Sequence, residues 1–289
     1  MWTFTALGTR WQIECYQSLK SITEEQLLQK VKRRVRLFED TYSRFKSESL
    51  IGKMAQRSGR FVLGEDAKVL FDLYQALYQH TDGAFTPLIG EALVSAGYDQ
   101  DYSLQPTQMY PVRLWQDVID YQFPEVTITV PVQLDFGAAG KGYLVDIVAK
   151  VIEEAGIASF FIDAGGDIYY RNMNGVSLSI GLEHPQNSTQ AIGVVPILNQ
   201  SICGSAGNRR TWGNWHHIIN PHTLASPEHI LATWVIADKT IIADALATCL
   251  FFVPPEKLVE SYQFDYLIMY ADHTIKKSTQ FGAEVFIQN

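Results

Sequence analysis

The run Ala243-Asp244-Ala245-Leu246-Ala247-Thr248 sets a carboxylate and a hydroxyl four residues apart. On a helix, positions i and i+4 share a face, so Asp244 and Thr248 would point the same way. A carboxylate beside a hydroxyl is the hard-oxygen chemistry that magnesium prefers, with carbonyls, phosphates and water as further ligands. Three alanines around the pair let a backbone or a ligand approach closely. The same run also reads as an alanine-rich helix packed on a sheet, with Asp244 incidental to it.

A second segment, Asp135-Phe136-Gly137-Ala138-Ala139-Gly140-Lys141-Gly142, reads as a strand, a glycine-rich turn and a helix start. Such a turn offers backbone N–H groups to an anion. It is not a Walker P-loop: Asp135 stands five residues before Gly140, and Gly142 follows Lys141. A tight connection with a snorkelling lysine gives the same pattern. Asp163-Ala164-Gly165-Gly166-Asp167 is a similar glycine turn.

Third is Trp215-His216-His217-Ile218-Ile219-Asn220-Pro221-His222. Histidine is the natural general base near neutral pH, and its activity would rise with pH through the imidazole pKa. Zinc is the competing reading for three clustered histidines, but there is no HExxH, no second ligand cluster and no cysteine pair. Loop or strand-end histidines without a chemical role fit the octapeptide equally.

These residues need elements to carry them. Trp2 to Tyr16 reads as a hairpin turning at Gly8-Thr9. Thr23 with Gln26 is a capping box before a helix with Leu27, Val31, Val35 and Phe38 inward. A helix over 66–81 would bury Val69, Leu73, Ala76 and Leu77 and stop at Asp82-Gly83. A loop spans 106–111 and a strand 126–130. A strand over 132–136, a turn over 137–140 and a helix over 141–155 make up the middle. Further strands are expected at 159–163, 176–182, 192–197, 231–237, 266–270 and 283–287, with a helix over 240–251. The fold class is α+β: mixed sheets with flanking helices, read as one unit over 1–289 with two closely associated lobes whose boundary the sequence does not mark.

The chain has 289 residues, 47% hydrophobic and 19% charged, as an ordinary globular protein has. Its net charge of −8 argues against a nucleic-acid partner. The basic run Lys30 to Arg36 sits between acidic pairs and reads as a solvated helix face. Three widely spaced cysteines, with no C-x-x-C, argue against a disulfide framework. No segment reaches the length of a transmembrane span, and the first residues lack a signal peptide's pattern. The expected compartment is cytoplasmic, or periplasmic or membrane-anchored if a targeting segment has been removed.

Taken in order, Tyr42-Ser43-Arg44-Phe45, Thr81-Asp82-Gly83-Ala84-Phe85, 135–146, Gly165-Gly166-Asp167, His217-Ile218-Ile219-Asn220-Pro221 and 243–248 resemble the bacterial FAD:protein FMN transferases. These ApbE-like flavin transferases were formerly known as thiamine-biosynthesis lipoproteins. The motifs are individually soft and jointly specific, and they span nearly the whole chain.

The resemblance implies a T-fold-like core and transfer of FMN from FAD, as substrate, onto a Ser or Thr of an acceptor protein, with release of AMP. By likeness to the family, Asp244, Thr248 and the Ala138 carbonyl would hold Mg2+. Leu7, Ala84, Phe85, Thr86, Asp135, Lys141 and Ile218 would contact FAD, and His217 would activate the acceptor hydroxyl. Members of the family also act as magnesium-dependent FAD pyrophosphatases, giving FMN and AMP. A flavin-binding protein without turnover is the third reading. The sequence departs from the family at four places. Thr86 and Asn220 each stand where the family has Asp, Gly137-Ala138-Ala139-Gly140 replaces Gly-Gly-Ile-Ala, and Gly204-Ser205-Ala206 replaces Thr-Ser-Gly.

Overall fold

The computed structural model describes residues 1–18 and 22–286. It opens on the expected hairpin, β1 (Trp2–Ala6) and β2 (Thr9–Cys15), paired antiparallel. The turn falls on Leu7 and Gly8, not on Gly8-Thr9: Thr9 already pairs with Ala6, and Leu7 and Gly8 have φ of 50° and 69°, the left-handed pair whose twist suits a two-residue hairpin. Glu39 accepts the Leu7 amide at 2.8 Å and so pins this turn to the next element. That element, α1 (Glu24–Tyr42), starts with the capping box and buries Leu27, Val31, Val35 and Phe38 as the periodicity requires.

Next come α2 (Leu50–Gln56), β3 (Gly59–Val62), α3 (Glu65–His80), α4 (Gly90–Ser95), α5 (Trp115–Val118), β4 (Ile119–Gln122) and β5 (Glu125–Ile128). The three strands form a small antiparallel sheet ordered β3-β5-β4. On α3 the expected stripe is rotated. Leu73 and Leu77 are buried, but Val69 is exposed, and Leu70, Phe71 and Tyr74 face inward. The two aromatic rings carry more apolar area than Val69 and set the buried face.

Residues 132–136, expected as a strand, pair with none. Their amides go elsewhere: Val132 donates to the Met54 carbonyl at 3.1 Å, and Asp135 to the Pro87 carbonyl at 2.7 Å. Residues 137–140, expected as a turn, are the first turn of α6 (Gly137–Glu154). Asp135 supplies the stabilisation that a glycine-rich start lacks, its Oδ1 accepting the Gly137 amide at 2.6 Å.

The remainder is β6 (Phe160–Ala164), β7 (Asp167–Arg171), β8 (Leu178–His184), β9 (Asn187–Ile197), β10 (Gln200–Ala206), β11 (Thr211–Trp212), β12 (Trp215–His216) and β13 (Ile230–Ala237). Then follow α7 (Thr240–Cys249), β14 (Asp265–Tyr270), β15 (Ile275–Lys277) and β16 (Glu284–Val285). The closing strand is thus shorter than 283–287, and Ile287 lies outside the described residues. Eight strands make an open sheet ordered β1-β2-β6-β7-β10-β13-β14-β15. It does not close into a barrel, and every ladder among the described residues is antiparallel.

The central strand β13 is buried on both faces, which is why it is apolar at every position but Thr233. Val235 packs in the core that contains Leu144 of α6 and Leu246 of α7. Trp234 and Ile236 point the other way, onto Leu182 and Val195 of the three-stranded sheet β16-β9-β8. A bulge between Ile230 and Ala232 switches Ile230 to the helix-side core, against its parity. The α+β class with helices flanking sheets is therefore as expected. Among the described residues no helix is long and apolar enough to cross a membrane.

Candidate active site

The site is built where α6 crosses α7. A Cβ at Gly142 would lie 2.3 Å from the Thr240 carbonyl oxygen and 2.7 Å from the Asp244 Cβ, so only glycine permits this crossing. One turn further along α6, Asp146 caps α7. Its two carboxylate oxygens accept the Thr240 and Ile241 amides at 2.9 and 3.0 Å. Seated in this way, α7 brings Asp244 over α6, where Oδ2 accepts the Gly142 amide at 2.9 Å. By helix spacing Ala138 lies one turn before Gly142 on α6, on the side that Asp244 approaches.

Charge is unbalanced here. Lys141 Nζ pairs with Asp167 and lies 3.5 Å from Asp244 Oδ1. Two buried carboxylates thus share one ammonium. Burial, and then the Asp167 charge, hold the Asp244 carboxyl above its ordinary pKa, against the opposing pull of Lys141 and the Gly142 amide. For Lys141, burial favours the neutral amine, but the Asp167 and Asp244 carboxylates outweigh it and raise its pKa. The Thr248 hydroxyl stands one turn from Asp244 and 3.4 Å from the Ser205 Oγ of β10.

A hard divalent cation suits this set. It would meet one carboxylate, one hydroxyl and a carbonyl at a place short of positive charge. Among the described residues no three His, Cys, Asp or Glu side chains gather as a metal-binding group, so phosphates and water would complete the shell.

The cavity over this corner measures about 500 Å³, within the range of small-molecule sites. Every residue that the family likeness assigned to FAD, metal or catalysis lies on its wall. Leu7, Ala84, Phe85, Thr86, Asp135, Lys141 and Ile218 are there, with Ala138, Asp244, Thr248 and His217. Each Asp135 oxygen already accepts one hydrogen bond, Oδ2 from Arg44 Nε and Oδ1 from the Gly137 amide, both at 2.6 Å, which fixes how the carboxylate faces the cavity.

The three histidines separate clearly. His216 Nδ1 accepts the Ile218 amide, and its Nε2 faces the Pro227 carbonyl at 3.1 Å, so both ring nitrogens serve their own loop. His222 is exposed and is not on the cavity wall. His217 is on the wall, and its Nδ1 is buried without a hydrogen-bond partner. Burial, followed by the positive charges of Arg210, His216 and Lys141, lowers its pKa from 6.5 to about 3. The expected rise of activity through an ordinary imidazole pKa is therefore corrected: this ring is already neutral well below pH 6.

The departures have local explanations. Thr86 is buried, and its hydroxyl accepts the Leu88 amide at 3.2 Å, capping the short turn Pro87–Ile89. Asn220 Oδ1 accepts the His222 and Thr223 amides at 2.9 and 3.3 Å, a turn that an uncharged side-chain oxygen makes as well as a charged one.

Sequence reasoning assigned no role to several residues now seen on the wall. Arg44 is buried between Asp135 and the Tyr98 carbonyl, with its guanidinium 4.2 Å from the Phe45 ring centroid. Arg210 donates to the Tyr98 hydroxyl at 2.6 Å. Arg44 stood in the quoted motif Tyr42-Ser43-Arg44-Phe45, and that was the only signal for it. Tyr74 gave no signal, being one more aromatic on an amphipathic helix.

Comparison with known proteins agrees with this geometry. The profile of the ApbE family matches residues 7–268. The FAD:protein FMN transferase of Escherichia coli K12 is 29% identical over 145 residues, 47% of this chain and 41% of that protein. The chain thus aligns with less than half the length of that relative. The protein of the same name from Treponema pallidum is 24% identical over 307 residues, covering 94% of this chain and 84% of its own. In structure, the ApbE protein of Thermotoga maritima superposes with a TM-score of 0.85 at 19% identity, covering 98% of this chain and 99% of its own. The flavin transferase ApbE of Vibrio cholerae gives 0.81 at 20% identity, with 97% of both chains covered. With a profile match over most of its length and the same fold, the chain belongs to the ApbE family.

Proposed function

We propose that this protein is an FAD:protein FMN transferase that uses Mg2+ to move FMN from FAD to a Ser or Thr of an acceptor protein, releasing AMP. One observation carries the reading: an oxygen site at Asp244 and Thr248, short of positive charge, shares a cavity with the neutral imidazole of His217, whose Nδ1 has no hydrogen-bond partner. The names of the relatives support the same reaction class.

In this reading Asp244, Thr248 and the Ala138 carbonyl hold the metal. A magnesium ion held by these groups would supply positive charge to the diphosphate and to the departing AMP. Lys141 and the amino end of α6 favour the anionic substrate. His217 takes the proton of the acceptor hydroxyl as that oxygen bonds to the FMN phosphorus and the bond to the AMP phosphate breaks. With water as acceptor the same groups would yield FMN and AMP.

The test is to incubate the protein with FAD and an acceptor protein or peptide bearing Ser or Thr, with and without MgCl2, and to quantify AMP by chromatography and acceptor-bound flavin by mass spectrometry. Magnesium-dependent AMP release matched by flavin on the acceptor, both abolished by the chelator EDTA, is expected. AMP release with no flavin on any acceptor, or FAD that stays intact with every acceptor, would remove the proposal.

A further inference from the structure

Among the described residues, the buried side-chain polar atoms without a hydrogen-bond partner are His217 Nδ1 and Tyr74 Oη. Tyr74 is 1% exposed, yet it lies on the wall of the cavity. Its ring stacks on Phe85 with centroids 4.7 Å apart and meets Phe136 edge-on at 5.0 Å, so it cannot swing out to water. The oxygen end lies in the field of Asp135 and Asp244, and the Ala138 amide is near it but off hydrogen-bonding geometry. The O–H proton has no acceptor.

A buried hydroxyl in that condition destabilises the fold, and phenylalanine would fill the same aromatic slot without it. The hydroxyl therefore has use only when something enters the cavity. What enters must present an acceptor beside Ala138, at the amino end of α6, whose N–H groups suit an anion. Burial and the Asp135 and Asp244 charges keep the phenol protonated, hence a donor.

We propose that the Tyr74 hydroxyl donates a hydrogen bond to a phosphate oxygen of a bound dinucleotide's diphosphate and is thereby a substrate-binding residue of this site. The inference rests on the FAD reading above and adds to it a donor fixed before the substrate arrives.

Tyr74→Phe removes the oxygen and keeps the ring. Titrations of FAD, ADP and riboflavin, each with MgCl2, should show FAD and ADP binding about tenfold to a hundredfold weaker in the variant, with riboflavin unchanged. The melting temperature without ligand should be equal to or above that of the unaltered protein. Affinity for FAD and ADP within twofold of the unaltered protein would overturn the proposal. So would an equal loss for riboflavin, which would assign the effect to ring packing, or a clear fall in melting temperature, which would make the hydroxyl structural. If the unaltered protein binds no FAD, the functional reading fails and takes this one with it; FAD binding that is indifferent to Tyr74→Phe sinks this one alone.

Discussion

The Gly142 amide donates to Asp244 Oδ2 at 2.9 Å, and the absent side chain at 142 is what lets the two helices come close enough for that bond. A structural glycine and the charged residue of the proposed metal site are thus one construction. Gly142→Ala should cost about 1–3 kcal/mol by overpacking. It should also weaken magnesium binding in the presence of FAD, because Asp244 must shift. Thermal melts with calorimetry check both. A stable variant with unchanged metal affinity would mean that the crossing is looser than described.

Asp244→Ala should abolish magnesium-dependent turnover, since the proposed ligand set loses its only charge. Thr248→Val should weaken it less, a neutral ligand being lost with shape kept. Calorimetric magnesium binding unchanged in Asp244→Ala, with FAD present, would refute the metal assignment.

Lys141→Met leaves Asp167 and Asp244 buried without their ammonium. The expected destabilisation is about 2–3 kcal/mol, set below the full loss of a buried ion pair because Lys141 keeps some solvent contact. Adding Asp167→Asn should recover much of that loss by removing one unpaired charge. FAD affinity should remain low in the double variant. Recovered stability together with recovered affinity would assign Lys141 a structural role only.

How much of this could be read beforehand depended on how local the signal was. The N-terminal hairpin and the Thr23–Gln26 box are fixed by neighbours in sequence, and both formed, the hairpin turning at Leu7-Gly8, one residue before the expected Gly8-Thr9. The α6 start did not, because the side chain that accepts its first amide is Asp135, two residues before Gly137 and counted within the strand 132–136. β10 escaped notice: its alternation is Ser201, Cys203 and Ser205 toward α7, and Ile202 and Ala206 toward the other core. Small polar residues on a buried face hide a strand. The site residues were recognisable through the family likeness, but Tyr74 and the Lys141–Asp167 pairing depend on tertiary contacts that no spacing reports.

His217 makes a pH prediction whose direction is fixed by its lowered pKa. The folded chain binds fewer protons here than the unfolded chain between about pH 3 and 6.5, so this residue's contribution to stability is complete above 6.5 and is lost as pH falls toward 3. In nucleotide-free protein, histidine-ring NMR should show His217 untitrated from pH 8 down to 5. A midpoint near 6.5 would show the ring to be solvated, contrary to the geometry.

The central claim is covalent transfer, and it is tested most directly on the product. The protein would be incubated with FAD, MgCl2 and a protein extract of its own organism prepared without this enzyme. Fluorescent bands that survive denaturation would then be excised for peptide mass spectrometry. The account predicts a peptide carrying FMN on a Ser or Thr, with AMP released alongside. It also predicts that His217→Ala slows labelling about a hundredfold or more while FAD affinity is nearly kept, and that His216→Ala and His222→Ala do not. Conversion of FAD to FMN and AMP with no labelled protein, or labelling at the full rate by folded His217→Ala, would contradict it.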